Sequence, residues 1–142
     1  MSVYQINSKA GITNEGGHAV QVIAGETLAR GEVVQITQPA GGADGKVYKN
    51  GIDSDMPVGV VYANAATNAA VWIVVGGIAY VLPNAADAPI RGYVIYSSST
   101  TAGRVDQAAA APAIGVHVRE VGHWLESEVR PGVLTRAIVH FN

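Results

Sequence analysis

Histidines and carboxylates carry what little reactive chemistry this chain offers. His18, His117, His123 and His140 are its four histidines. His117 and His123 could face each other across a strand pair. No third ligand stands at a recognisable spacing, because Glu120 and Glu126 follow no ligand pattern. A surface or interface role is the simpler reading, so no metal ligand is assigned. Asp53 and Asp55 flank Ser54 ahead of Met56-Pro57. Calcium would need further oxygen ligands at regular spacing, so this reads as a hydrogen-bonded turn. Gly41-Gly42-Ala43-Asp44-Gly45 is glycine-rich but ends in an acid and leads into no helical pattern. A phosphate there would meet a carboxylate instead of a lysine, so the segment reads as a hairpin loop.

No Gly-x-Ser-x-Gly elbow, Walker-type loop or His-Glu-x-x-His pair occurs. The chain has no cysteine, which excludes disulfides, thiolate metal sites and a cysteine nucleophile. The expectation is a protein that is not an enzyme, with no catalytic residue and no cofactor. Two tryptophans remain. Trp72 lies in a strong strand pattern and suits core or intersubunit packing. Trp124 lies in the segment 119–129 beside His123 and Leu125. It is a candidate partner contact, as are Val3, Tyr4 and Ile6 near the N-terminus.

The formal net charge is −2, and charged residues make up 14% of the 142 positions, against roughly a quarter in typical domains. Nine basic residues spread along the chain form no basic stripe, so nucleic acid is not an expected partner. The most apolar run, Val71 to Leu82, is interrupted by Gly76-Gly77 and is too short to span a bilayer, so no membrane segment is expected. Met1 to Asn7 lacks the blocks of a signal peptide, which suggests folding in the cytoplasm of the cell that makes it. Sparse charge suits a surface covered by partners.

The elements that must hold these residues are strands. Val33–Ile36, Val58–Tyr62, Val71–Val75, Ile78–Leu82, Tyr93–Tyr96, Gly115–Val118 and Ala137–Phe141 are short and rich in β-branched or aromatic residues. Asp44-Gly45 and Asn50-Gly51 bracket Lys46–Lys49 as turn formers. Alanine-rich stretches at 63–70, 85–88 and 108–113 read as loops. The fold class is therefore all-β, a compact barrel or sandwich.

The chain also repeats itself. Arg30-Gly31-Glu32-Val33-Val34 returns as Arg91-Gly92-Tyr93-Val94-Ile95. Pro57-Val58-Gly59-Val60 returns as Pro112-Ala113-Ile114-Gly115, and Gly77-Ile78-Ala79 more loosely as Gly132-Val133-Leu134. The reading is an internally duplicated β unit, about 24–82 and 90–142, within one β domain at 21–142. An extended N-terminal arm at 1–20 precedes it. Segment 119–129 has no counterpart in the first half and reads as a short helix or extended loop. The first half should supply more of the core, and the second more of the polar surface.

The order Ala24-Gly25-Glu26-Thr27-Leu28, Arg30-Gly31-Glu32-Val33-Val34, Pro57-Val58-Gly59-Val60, Val75-Gly76-Gly77-Ile78-Ala79, Arg91-Gly92-Tyr93-Val94 and Ile114-Gly115-Val116, with a closing apolar strand, resembles the capsid decoration (cement) proteins of tailed bacteriophages. The resemblance covers most of the chain after about residue 20. It implies a β-rich structural protein that assembles as a homotrimer and binds the major capsid protein on the outer surface of the virion head. The resemblance carries no catalytic residues. The alternative is a carbohydrate- or surface-binding β module that uses Trp124, Tyr93 or Tyr96 as a stacking platform.

Overall fold

In the computed structural model, residues 6–7, 11–36, 44–54, 56–109 and 119–141 are described. They form one 11-stranded sheet and, among the described residues, no helix. The strands are β1 (Ile6–Asn7), β2 (Ile12–Thr13), β3 (Gly17–Ala24), β4 (Val33–Gln35), β5 (Lys46–Lys49), β6 (Gly59–Val61), β7 (Ala70–Val81), β8 (Val94–Ser97), β9 (Val105–Ala108), β10 (Glu120–Trp124) and β11 (Thr135–His140). No helix among the described residues is long and apolar enough to cross a membrane.

The sheet order β1-β2-β3-β5-β4-β6-β7-β11-β10-β8-β9 is palindromic about the β7–β11 pair. On one side β7 leads through β6 to β4 and β5. On the other, β11 leads through β10 to β8 and β9. An additional β3–β7 pairing closes β3-β5-β4-β6-β7 into a ring, so a small barrel has no free edge there. A single parallel bridge, Pro83↔Val105, just beyond the end of β7, joins β9 back to that chain and links β7-β9-β8-β10-β11 more loosely. β7 therefore serves both rings. Its first half pairs β3 and β6, and its second half pairs β11. The two strands expected at 71–75 and 78–82 are one continuous strand because both rings need it.

The duplication extends to single hydrogen bonds. The Gly31 amide donates to the Val61 carbonyl, and the Gly92 amide to the Trp124 carbonyl, both at 2.9 Å. The Arg30 amide donates to Asn64 Oδ1 at 2.8 Å, and the Arg91 amide to Ser127 Oγ at 2.9 Å. Gly31 and Gly92 hold φ of 87° and 84° at the bend into β4 and β8, which is the conformation only glycine adopts freely.

These bonds correct the sequence register. The counterpart of β6 is β10, with Gly59 matching Gly122, whereas Gly115-Val116 lies outside the described residues. Segment 119–129 is thus a repeated strand and its following turn, not an insert. Gly132, with φ 72°, matches Asn68, with φ 66°, rather than Gly77. Residues 17–20, placed in the arm by the sequence reading, belong to β3 and pair with β7.

One core cluster fills the first ring with Ala24, Leu28, Val34, Val47, Val61, Val71 and Ile73. A larger one contains Ile95, Val105, Val121, Trp124 and Ala137 and reaches Val33, Val60 and Val74 of the first unit. Among the described residues, most buried apolar side chains precede Leu82. Trp124 matches Val61, and its register partner Ala137 matches Ile73. A large–small pair thus replaces a medium–medium pair, a volume-conserving exchange that keeps both rings filled.

Candidate functional site

Among the described residues, Glu120, His123 and His140, on the paired strands β10 and β11, form the group of side chains able to ligate a metal. Glu120 and His123 differ by three positions and would face opposite sides of a regular strand. A β-bulge removes that difference. Glu120 stands opposite Tyr96 and His123 opposite Val94, while the register shifts between Glu120 and Gly122. The bulge therefore turns both side chains to one face and sends Val121 into the core. Gly122 makes this possible, since a Cβ there would run into the Ile138 carbonyl oxygen.

Glu120 Oε1 lies 3.3 Å from His140 Nε2 and 3.9 Å from His123 Nδ1. The carboxylate side chain is 6% exposed, and each imidazole is 49% exposed. The histidine ring centroids are 6.2 Å apart. His140 pairs with Gly76 of β7, and a Cβ at Gly76 would meet nothing within 4 Å. The floor beside His140 is therefore open. His18 flanks the same Gly76 from β3.

Other polar groups are used in holding the fold. Asp53 pairs with Arg119, whose guanidinium also lies over the Tyr96 ring. Ser54 Oγ accepts from the Met56 amide at 3.2 Å, as the turn reading expects, and Asp55 lies outside the described residues. Asp44 accepts from the Lys46 amide at 3.0 Å and from the Tyr48 hydroxyl, which raises the Tyr48 pKa. The Asn84 amide nitrogen donates to Thr100 Oγ1 at 2.7 Å and to Asp106 Oδ1 at 3.0 Å. Burial, and then the Asp106 charge, push the Asp87 carboxyl above its ordinary value. An open hollow of about 490 Å³ is lined by Leu28, Glu32, Lys49 and Asn64. Its Glu32 accepts from the Ala29 amide at 2.6 Å and faces Lys49 at 3.6 Å, so its charges are spent internally.

Of the residues named as contacts, only Trp124 has a described side chain. Val3 and Tyr4 lie outside the described residues, and Ile6 is known only as a β1 position paired with Thr13. Trp124 is 2% exposed and offers no surface to a partner. Its indole N–H has no hydrogen-bond partner, so the side chain serves as volume. Tyr93 and Tyr96 are half-buried, and Tyr96 is covered by Arg119. The three aromatic residues therefore make no open stacking platform. His117, the expected neighbour of His123, lies outside the described residues. Sequence reasoning missed His140, which the β10–β11 pairing brings to His123. No family model matches the chain, and no curated protein matches it.

Proposed function

We propose that this chain is a structural capsid decoration, or cement, protein of a tailed bacteriophage. It binds the major capsid protein on the outer surface of the head as a homotrimer and ties neighbouring subunits together. The observation that carries this reading is where the family-like motifs fall. Arg30-Gly31 and Arg91-Gly92 occupy equivalent turns of the two units, with equivalent hydrogen bonds to β6 and β10 and to the turns that follow them. The resemblance therefore rests on residues that build the scaffold, as befits a protein whose work is to be a rigid brace. Exposed apolar side chains add support. Ile12, Val20 and Ile23 on β2 and β3 are 51%, 39% and 40% exposed. A trimer engages several sites at once, so each contact need only be modest.

The arm around Val3, Tyr4 and Ile6 is assigned to the shell or to a neighbouring protomer. Deleting residues 2–7 should leave a protein that still melts cooperatively and abolish co-sedimentation with heads that lack the protein. A truncated protein that still saturates such heads would remove the arm from the account. A full-length protein that fails to bind them would remove the cement reading.

A further inference from the structure

We propose that Glu120, His123 and His140 form a binding site for a divalent transition-metal ion of the zinc class. Two imidazole nitrogens and one carboxylate oxygen suit zinc, cobalt, nickel or copper, whereas calcium and magnesium favour all-oxygen shells. Zinc–ligand bonds of about 2.0–2.2 Å place neighbouring donors of a tetrahedral site roughly 3.4 Å apart. The Glu120–His140 and Glu120–His123 separations of 3.3 and 3.9 Å bracket that edge. All three donor atoms fall within 4.8 Å of one another.

The support for the donors is rigid. Glu120 and His123 are fixed by the β10 bulge, and His140 by its register with Gly76 on β7. A cation would sit against a carboxylate that is only 6% exposed, where opposite charge is most effective. The half-exposed imidazoles give it an entry path. The same exposure admits water to the remaining coordination position. His18 lies across β7 from His140, about 10 Å away at two strand spacings, and is not a ligand. Bound metal would staple β10 to β11.

The test uses the full chain, stripped with chelator and titrated with zinc chloride by calorimetry. Cobalt absorption reports the coordination, and magnesium chloride is the control. The expected result is saturable uptake of one zinc per chain with a rise in melting temperature, and no response to magnesium. His123→Ala and His140→Ala should each weaken binding by more than about tenfold, while His18→Ala leaves it unchanged. Both targets are half-exposed, so these variants keep the fold, as circular dichroism would check. Absence of saturable zinc uptake would overturn the proposal. So would unchanged uptake by the His123→Ala, His140→Ala double variant. Either result stands apart from head binding.

Discussion

Gly31 and Gly92 occupy the same turn of the two units but different surroundings, so replacing each with alanine isolates the effect of the junction. Both have φ near the left-handed region, at 87° and 84°. That conformation costs an ordinary residue roughly 1–2 kcal/mol, and the cost is common to both variants. A Cβ at Gly92 meets nothing within 4 Å. A Cβ at Gly31 collides with Leu134 Cδ2 and lies 3.0 Å from the Leu82 backbone nitrogen and 3.1 Å from Leu82 Cγ. The Leu134 methyl can swing aside, but the Leu82 backbone is held by its 2.9 Å bond to the Gly31 carbonyl. Overpacking of this kind adds about 1–3 kcal/mol. Gly31→Ala should therefore be the more destabilising by that margin, about 5- to 150-fold in the unfolding equilibrium. Urea unfolding followed by the fluorescence of Trp72 and Trp124 gives both midpoints and slopes. Equal midpoint shifts would refute the placement of the first turn beneath the end of β7 and the start of β11.

Trp124→Ala should cost about 3–5 kcal/mol, and Trp124→Val should regain stability when combined with Ala137→Ile, which copies the Val61–Ile73 pair; thermal melts of the three variants check this. Arg136 donates to Glu126 at 3.1 and 3.2 Å and holds its carboxyl below the usual range. A lowered folded pKa stabilises above the unfolded value, about 4.3, and the contribution is lost as pH falls through the folded value. Glu126→Gln should flatten the acid limb slightly, since both partners are 41% exposed. An acid limb identical to that of the parent protein would contradict the pairing.

The strands with β-branched runs and the paired Arg-Gly turns were legible because they repeat a local physical need. β10 was not, because Gly122-His123-Trp124 shares only its glycine with Gly59-Val60-Val61. The compensating change sits on another strand, at Ala137. The Gly132–Asn68 match was hidden because two residue types meet one requirement, a positive φ. The histidine–carboxylate cluster was invisible for a different reason. A three-residue spacing puts two strand residues on opposite faces unless a bulge intervenes, and His140 arrives only through the β10–β11 pairing. β3 escaped notice because its alternation of buried and exposed positions breaks after Val20, where Gln21 is exposed as well.

The most direct measurement is the number of copies that purified protein adds to tailed-phage heads lacking it, counted after sedimentation. The cement account predicts saturable binding at a multiple of three copies per site, with heads that resist heating better once filled. Absence of binding, or saturation at a copy number incompatible with threefold positions, would contradict it.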